Sequence, residues 1–550
     1  MDGGCLWDLD PELNRLPEGF LARGWEGGPR RPREVFLLGV GGVAMASLAG
    51  LLQAEGYAVS GADEGLYPPM KELVEGLGIP VHRGYGADCL AGSPDLVVVG
   101  NVVTRRFPAA AELARRAIPY VSLPQCLSEL FLKGSRNLVI SGCHGKTTLT
   151  ALCARLLEAG GLDPGFLVGG ASLDSPLPFR RGGGGLFVIE GDEYDCAFFD
   201  KRPKFVHYRP RTVILTSIEY DHADIYPDLA SVFAAYRTLA GLVPEGGLLV
   251  ANGDDPLCRE AASACRGRVE FYGEGDAPGG AGGGAAGGPL HWRLAGFSVR
   301  GFRSEFEIRG PDGASYRLAW PRLGRYNALG ACAAAAACLD LGVDPGSLPA
   351  AFAGFRGVRR RQEPLFDSWA PEGEGGGVPD PGWPGPVPPC PDPPARRRGP
   401  RGVTVVDDFA HHPTAVAKTL GALREAFPGR RLVAAFEPRS NTSRRAVFQE
   451  EYPGAFAAAD LVLLSGVDRP DKAPEGDRLD LARLARDIGS GRCLACPDPE
   501  AVLREALSAA RPGDLFCVMS NGSFGAVASR LADYFRGTAG GGPAPAAVGL

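Results

Sequence analysis

Short runs of apolar residues alternate with longer helical patterns along this 550-residue chain. Continuous apolar strands that are followed by helices predict parallel sheets with helices covering both faces. The predicted fold class is therefore α/β. We find no short-period repeat of the kind that indicates a solenoid. The apolar runs are residues 35–38, 95–99, 137–140, 186–189, 212–215, 403–406, 432–435 and 461–464.

Glycine and proline are unusually frequent, with 79 and 48 residues among 550. Average usage of the two residues together is roughly 12%. Much of the excess is concentrated in residues 1–33, 273–289, 370–401 and 538–550. Such segments cannot bury enough apolar surface to offset the entropy of chain ordering. We therefore predict a disordered N-terminal extension, a Gly-rich insert, a Pro-rich insert and a disordered tail around an enzyme-sized core.

The charge balance excludes several function classes. A net charge of −6 provides no global basic field for nucleic acid or an anionic membrane. The longest small-apolar run, residues 328–339, is shorter than the 18 or so residues that span a bilayer, so it predicts a buried helix. Residues 1–33 carry acidic side chains where a secretory signal is basic. We predict a cytoplasmic protein that does not insert into membranes and is a monomer or a weak homodimer.

The first glycine-rich loop, residues 39–44, follows the predicted strand 35–38. It reads G-x-G-x-x-A and runs into an apolar helix, the setting in which backbone N–H groups of Gly39, Gly41 and Gly42 can approach a diphosphate. Asp63 lies about 20 residues further on, where a ribose-binding carboxylate is expected. The motif alone leaves NAD, FAD and UDP-sugars equally open as ligands.

The second loop, residues 141–148, follows the predicted strand 137–140 and reads Ser-Gly-Cys-His-Gly-Lys-Thr-Thr. A Gly-rich loop with Lys and Thr at a helix start is typical of enzymes that bind nucleoside triphosphates. Lys146 is predicted to hold the β- and γ-phosphates and Thr147 to bind Mg²⁺. The spacing is shorter than the usual G-x-x-x-x-G-K-T. The loop residues predicted to bind ATP are Gly142, His144, Gly145, Lys146, Thr147 and Thr148.

Two acidic clusters follow predicted strands downstream of the second loop. Glu190, Asp192, Glu193 and Asp195 lie just beyond one strand, and the string Glu219-Tyr-Asp-His222 lies beyond another. Ligands of open α/β sheets collect outside the carboxyl ends of the strands. We therefore predict that these carboxylates and His222 converge on a magnesium–nucleotide complex at Thr147.

Together with Asp407-Asp-Phe-Ala-His-His-Pro413, the two loops resemble the Mur ligases, the ATP-dependent amide-forming enzymes of peptidoglycan assembly. The resemblance implies three domains. These are a UDP-sugar-binding Rossmann-like domain (34–135), a central P-loop ATP-binding domain with a mostly parallel sheet (136–357) and a C-terminal Rossmann-like peptide-binding domain (358–537). Further strings are similar to one branch of the family: residues 67–70, 190–201, 204–208, 221–224, 436–442 and 519–522.

That branch implies a reaction and its substrates. It joins UDP-N-acetylmuramate to L-alanyl-γ-D-glutamyl-meso-diaminopimelate in peptidoglycan recycling, using ATP and Mg²⁺ through an acyl phosphate. Carried onto this chain, Lys146, Glu190 and His222 are catalytic, and Thr147, Glu190 and His222 hold the metal directly or through water. Asn327, Arg360 and Asp408 match positions that contact or adjoin ATP, and His411 belongs to the same motif. Arg439, Ser440, Asn441 and Thr442 match the peptide-reading string.

The chain departs from the family pattern at four site positions. Cys143 stands where Thr is usual and Gly191 where Ala is usual. Tyr326 replaces a common His and Gly330 a common second Asn, so the adenine contacts are expected to differ. Several sister enzymes use a carbamylated lysine to bind a second Mg²⁺, but this chain has no lysine between Lys204 and Lys418.

Three alternatives remain open at this stage. A UDP-N-acetylmuramate:L-alanine ligase keeps the chemistry and changes the amine substrate. An NAD-dependent dehydrogenase built on the first loop leaves Lys146 and the acidic clusters unexplained. A non-catalytic UDP-sugar-binding protein predicts loss of Lys146, which is present.

Overall fold

A computed structural model describes residues 33–67, 69–116, 118–274, 291–368 and 402–539. The predicted extension 1–33, apart from Arg33, lies outside these ranges, as do most of both predicted inserts and of the predicted tail. Among the described residues, no helix is both long and apolar enough to cross a membrane.

The N-terminal sheet has five parallel strands in the order β3-β2-β1-β4-β5. The point where the order reverses lies beside β1, at whose carboxyl end the first loop begins, and ligands of such sheets bind at this edge. The strands are β1 Glu34–Leu38, β2 Ala58–Asp63, β3 Val81–Arg83, β4 Leu96–Val99 and β5 Tyr120–Ser122, and the helices are α1 Val43–Ala54, α2 Met70–Gly76, α3 Pro108–Arg116 and α4 Leu123–Leu127.

The central sheet has ten strands in the order β17-β16-β15-β14-β13-β12-β6-β9-β7-β8, and β10 and β11 form a separate hairpin. Strands β6, β7, β9 and β12 to β15 run parallel, whereas β8, β16 and β17 pair antiparallel. The strands are β6 Arg136–Ser141, β7 Gly165–Leu167, β8 Phe179–Arg180, β9 Leu186–Gly191, β10 Asp195–Ala197, β11 Asp200–Pro203, β12 Pro210–Leu215, β13 Leu248–Asn252, β14 Arg268–Gly273, β15 Trp292–Arg300, β16 Arg303–Arg309 and β17 Ser315–Trp320.

The helices of the central domain cover the parallel part of this sheet. The helix predicted at residues 328–339 extends from Arg325 to Asp340 in the structure. It is buried, with Ala331, Cys332 and Ala335 fully inaccessible. It packs against α5 in one apolar core. The helices are α5 Lys146–Ala159, α6 Leu229–Leu242, α7 Pro256–Ala262, α8 Arg325–Asp340 and α9 Leu348–Ala353.

The C-terminal sheet has the order β18-β19-β23-β20-β21-β22, parallel except for β18. The predicted α/β class is confirmed, with antiparallel strands added at the edges of two sheets. The strands are β18 Glu363–Asp367, β19 Thr404–Asp408, β20 Leu432–Phe436, β21 Leu461–Ser465, β22 Cys493–Cys496 and β23 Leu515–Met519, and the helices are α10 Pro413–Ala426, α11 Tyr452–Ala455, α12 Leu481–Ile488, α13 Pro499–Ala509 and α14 Val527–Ala539.

Candidate active site

The second loop joins β6 to α5 through two glycines in the left-handed region of backbone space. Gly142 has φ +121° and Gly145 has φ +83°. A Cβ on Gly142 would lie 2.2 Å from the hydroxyl of Thr216, so only glycine fits this position. No side chain caps the N-terminus of α5. Its first backbone N–H groups are therefore available to an anion, which the helix dipole also favours.

Lys146 begins α5, and its ammonium contacts the loop and the acidic cluster. It donates to the carbonyl of Gly142 at 2.9 Å and to both carboxylate oxygens of Glu193 at 3.0 and 2.9 Å. Burial alone would lower the pKa of Lys146, but Glu193 and Asp192 outweigh it and raise that pKa. The site therefore keeps a fully charged ammonium beside the phosphate loop.

Thr147 and Glu190 form the next layer of the site. The Thr147 hydroxyl donates to Glu190 at 3.0 Å, and the Glu190 carboxylate also accepts from the backbone N–H of Gly169. Burial raises the pKa of Glu190. A hydroxyl and a carboxylate are hard oxygen ligands of the kind that Mg²⁺ prefers. These two residues therefore have the chemistry of a magnesium site.

His222 lies seven residues beyond the end of β12 and has an unusual left-handed φ of +56°. Its Nε2 is 2.6 Å from Glu193, which Lys146 also contacts, and its ring packs 4.2 Å from that of Tyr194. Burial opposes the charged form, but Glu193 raises the pKa of His222 to about 9. The imidazole is thus protonated at neutral pH in this arrangement and adds positive charge beside Lys146.

One cavity of about 410 Å³ connects these groups with residues from all three domains. Its lining includes the predicted ATP residues His144, Gly145, Thr148, Asn327 and Asp408, in addition to Lys146, Thr147, Glu190 and His222. Gly142 and Arg360 are not in that lining, although the Gly142 carbonyl accepts from Lys146. The sequence-predicted nucleotide residues therefore meet largely in one space.

Asn327 and Asp408 are held by Gln362, a residue that the sequence reasoning missed. The Asn327 amide donates to Leu323 O at 2.7 Å and to Gln362 Oε1 at 3.1 Å. The Gln362 amide group donates to the Tyr326 hydroxyl at 2.8 Å, and its backbone N–H donates to Asp408 at 2.7 Å. Tyr326, which departs from the family pattern, is thus part of this network rather than an isolated substitution.

Two neighbouring arginines point in different directions. Arg360 donates to Ser520 O at 2.6 Å and lies 3.4 Å from Asp407, whereas Arg361 lines the cavity and reaches Thr147 Oγ1 at 3.4 Å. The Arg361 guanidinium also stacks 4.2 Å from the ring of Phe409. Arg361 is therefore a candidate nucleotide contact that the sequence did not single out, although it lies in a run of three arginines.

The first loop approaches the same cavity from the N-terminal domain. Gly39 has φ +89°, and the Gly41 backbone N–H donates to Asp63 at 2.9 Å. Gly42, at the exposed N-terminus of α1, has no side-chain cap. Ala44, at the end of the motif, lines the cavity that also contains Lys146. Gly39, Gly41, Gly42 and Asp63 are not in that lining, so Ala44 alone of the first loop reaches the cavity.

A second cavity, of about 340 Å³, lies beside the first and contains the predicted peptide string. The two cavities share Tyr194, Asp221, His222, Phe409 and His411 in their linings. Burial lowers the pKa of His411. The string itself contributes Arg439, Ser440, Asn441 and Thr442 to the second cavity, together with Arg444 and Asn521.

Members of the peptide string also hold the central and C-terminal domains together. Thr442 donates to the buried carboxylate of Asp221 at 2.8 Å, and Asn441 donates to Asp224 at 2.8 Å. Arg439 is paired with Asp468 at 3.1 Å, and the Ser440 hydroxyl bonds Ser443. Asn441 and Thr442 therefore have domain-joining contacts that the sequence did not predict.

Glu219 connects the second loop with the C-terminal domain. Its backbone N–H and C=O both contact the sulfur of Cys143, at 3.1 and 3.2 Å. Its carboxylate accepts from Thr414 at 2.6 Å and lies 3.3 Å from His144. Cys143, which departs from the family pattern, thus contacts the same residue that reaches α10.

Three family models match the chain in succession. The model described as Mur ligase family, catalytic domain, matches residues 34–134. The Mur ligase middle domain matches residues 140–338, and the Mur ligase, glutamate ligase domain, matches residues 395–522. All three sheets of the structure are thus covered by models of one family.

Individual relatives match over nearly the whole length. The UDP-N-acetylmuramate–L-alanyl-gamma-D-glutamyl-meso-2,6-diaminoheptandioate ligase of Escherichia coli (strain K12) is 34% identical over 508 residues, which cover 91% of this chain and 97% of the relative. The UDP-N-acetylmuramate–L-alanine ligase of Aromatoleum aromaticum is 31% identical and covers 91% of this chain and 98% of the relative. A crystal structure of a murein peptide ligase from Psychrobacter arcticus superposes with a TM-score of 0.65 at 29% identity, covering 91% of this chain and 98% of that one.

Proposed function

The chain belongs to the Mur ligase family, and we propose that it joins UDP-N-acetylmuramate to the amine of L-alanyl-γ-D-glutamyl-meso-diaminopimelate, with ATP as the energy source. The observation that carries this proposal is the pair of adjoining cavities. One is lined by the second phosphate loop and by Ala44 at the end of the first, and the other contains the string from Arg439 to Thr442. The ligase named for this tripeptide is among the relatives similar to the chain over most of its length.

The proposed reaction has two steps. A carboxylate oxygen of the muramoyl group attacks the terminal phosphorus of ATP, the bond to ADP breaks, and an acyl phosphate forms. The free amine of the peptide then attacks the acyl carbon, the bond from that carbon to the phosphate oxygen breaks, and the amide forms as the amine loses one proton to the solvent and phosphate leaves. Positioning and charge stabilisation supply most of the acceleration in phosphoryl transfer.

Lys146 has the position to act on the first step. Its ammonium lies at the start of α5, where the terminal phosphate of a nucleotide on the second loop would be. It offsets the negative charge that collects on the phosphoryl oxygens in the transition state. The Glu193 carboxylate accepts from this ammonium and fixes its direction, and the protonated His222 contacts the same carboxylate.

Thr147 and Glu190 are the residues that would hold Mg²⁺, and His222 would join them only as the neutral imidazole, after losing its proton. The hydroxyl and carboxylate oxygens, 3.0 Å apart, fit this ion. Magnesium supplies positive charge to the phosphate oxygens when it is bound. Arg361, at 3.4 Å from Thr147, adds a permanent cation on the side of the C-terminal domain.

The substrates also suggest where the protein works and in what form. ATP and an activated UDP-sugar are substrates of the cytoplasm, so the proposed reaction takes place there. We propose that the protein acts there as a monomer or a weak homodimer.

A paired assay tests the proposal. Purified protein is incubated with ATP, Mg²⁺ and UDP-N-acetylmuramate, with either the tripeptide or free L-alanine as the amine, and phosphate release is followed. We expect release with the tripeptide that exceeds release with L-alanine. Release with L-alanine but not with the tripeptide would instead indicate that the protein has the activity for which the Aromatoleum relative is named.

A further inference from the structure

A second lysine, Lys204, lines the nucleotide cavity, and the mechanism above leaves it without a role. It follows β11 directly and begins a short 3-10 helix, Lys204–His207. Its backbone N–H donates to Tyr194 O at 3.0 Å, and its side chain is 19% exposed. The residue is therefore fixed by its main chain and directs a nearly buried ammonium into the site.

The hydrogen bonds of the two lysines differ. Lys146 has three acceptors within 3.0 Å, which match the three N–H donors of an ammonium. Among the described residues, Lys204 Nζ has one hydrogen-bond acceptor, the Asp192 carboxylate at 2.6 Å. Two of its donors are thus left for a ligand in the cavity.

Lys204 is charged despite its burial. Burial alone would lower the pKa of its ammonium, but the adjacent Asp192 carboxylate outweighs it and raises this pKa. A charged ammonium with free donors is suited to an anionic oxygen such as that of a carboxylate.

The segment that carries Lys204 lies on the side of the N-terminal domain. Arg209, a few residues further on, donates to the hydroxyl of Ser128 at 2.9 Å, and Asn137 of β6 donates to Tyr208 O at 3.1 Å. Leu123 and Leu127 of α4 line the same cavity as Lys204. Lys204 is therefore placed on the part of the cavity wall that adjoins α4 of the N-terminal domain.

We propose that Lys204 binds the carboxylate of the sugar substrate and orients it toward the terminal phosphorus of ATP. This inference rests on the proposed function, because it assumes that a carboxylate crosses from the first loop to the second. In the step concerned, the carboxylate oxygen forms the new bond to phosphorus and ADP leaves with the electron pair of the broken bond. Lys204 keeps its proton throughout, and Asp192 fixes its direction.

The matched control is Lys201, which lies three residues earlier on β11. It pairs with Asp195 at 2.5 Å, but its side chain is 57% exposed and is not part of the cavity lining. Lys204→Met and Lys201→Met therefore remove the same charge from the same hairpin, inside and outside the site. Lys204→Arg keeps the charge and tests for rescue.

Three measurements separate a substrate contact from a structural ion pair. They are the KM for UDP-N-acetylmuramate, the Kd for ATP with Mg²⁺, and the yield of acyl hydroxamate when hydroxylamine replaces the peptide. For Lys204→Met we expect a KM about 10- to 100-fold higher, in the range of a lost hydrogen bond to a charged group, and a similarly reduced hydroxamate yield at fixed substrate. The Kd for ATP stays within twofold of the unsubstituted protein, and Lys204→Arg recovers part of the loss.

Two results would overturn the inference. One is a KM and hydroxamate yield for Lys204→Met that equal those of Lys201→Met. The other is a fall in ATP affinity that parallels the rise in KM, which would make Lys204 a nucleotide or folding residue. Failure of the proposed function is recognised separately, because the unsubstituted protein itself would then form no hydroxamate from UDP-N-acetylmuramate.

Discussion

The two phosphate loops share a backbone design and differ in charge. Both follow a buried parallel strand, both turn on a glycine of positive φ, Gly39 at +89° and Gly142 at +121°, and both enter a helix without a side-chain cap. At the first loop a carboxylate, Asp63, accepts from the backbone N–H of Gly41. At the second loop an ammonium, Lys146, contacts the loop carbonyl. The two loops are thus distinguished by the charge of the side chain beside each, a carboxylate at the first and an ammonium at the second.

The loops also differ in what supports them. The second loop is connected to the C-terminal domain through Glu219, whose carboxylate accepts from Thr414. The first loop has its nearest side-chain support, Asp63, within its own sheet. A movement of the C-terminal domain would therefore act on the second loop through Glu219, whereas, among the described residues, the first loop has no such contact through Asp63.

The largest expected effect is at the cation of the second loop. Lys146→Ala is expected to lower the rate of phosphate release by on the order of 10³-fold, because the transferring phosphoryl loses its positive partner. A coupled ADP assay measures this. Activity within tenfold of the unsubstituted protein would contradict a catalytic role for the positive charge that distinguishes the second loop from the first.

Lys146→Ala also leaves Glu193 buried with one cation fewer, which can destabilise the fold. The double variant Lys146→Met, Glu193→Gln removes both members of the pair. We expect it to recover melting temperature but not activity. Recovery of activity would show that Lys146 is only a structural partner of Glu193.

The carboxylate of the first loop is expected to have a smaller and separate effect. Asp63→Asn should raise the KM for UDP-N-acetylmuramate about 10-fold, the size of one charge-assisted hydrogen bond, with no change in the Kd for ATP. Glu64→Gln, at the exposed neighbouring position, is the matched control. A change in ATP affinity for Asp63→Asn, or an equal change in KM for Glu64→Gln, would contradict separate roles for the two loops.

Much of this comparison could be predicted from sequence, because each loop combines a strand, spaced glycines and a helix start in one short string. Lys204 and Arg361 could not be predicted in the same way. The backbone has positive φ values at Arg360 (+58°) and Gln362 (+50°). These values decide which arginine of the run from Arg359 to Arg361 enters the cavity, and no local sequence pattern indicates them. Lys204 reaches the cavity through tertiary contacts across the hairpin.

The fold, like the site, has elements that a local sequence pattern indicates and elements that it does not. Eight parallel strands, among them β1, β6 and β19, were predictable because they read as continuous apolar runs. Strands β15 to β17 alternate between buried and exposed residues, so they escape a search for such runs. The dual contacts of Asn441 and Thr442 depend on how the C-terminal domain docks, and this docking is also absent from the local sequence.

A further expected effect, on stability rather than on activity, is a pH dependence of the contacts that connect the second loop with α10. His412 caps α10 by accepting from the backbone N–H of Thr414 at 3.2 Å, and its Nε2 donates to Tyr220 O at 3.2 Å. Burial, with the nearby His144, lowers the pKa of His412 to about 4. The unfolded chain therefore binds more protons than the folded one between pH 4 and 6.5, and stability falls as the pH falls through this window.

His412→Asn keeps a capping side chain and removes the titration. We expect the free energy of unfolding to decrease by about 1 to 3 kcal/mol more in the unsubstituted protein than in His412→Asn between pH 6.5 and 4. Urea unfolding at each pH measures the difference, with His82→Asn, on the edge strand β3, as the control. Identical pH profiles for the unsubstituted protein and His412→Asn would show that the titration of His412 does not contribute to the pH dependence of stability.

The central claim is that a carboxylate delivered from the first loop attacks a nucleotide held on the second. The most direct measurement uses UDP-N-acetylmuramate labelled with ¹⁸O in its carboxylate, with ATP, Mg²⁺ and the tripeptide, and analyses the released phosphate by mass spectrometry. Because the acyl phosphate oxygen leaves with phosphorus, we predict one ¹⁸O in each phosphate and one amide formed per phosphate. Unlabelled phosphate, or phosphate released without amide, would contradict the account.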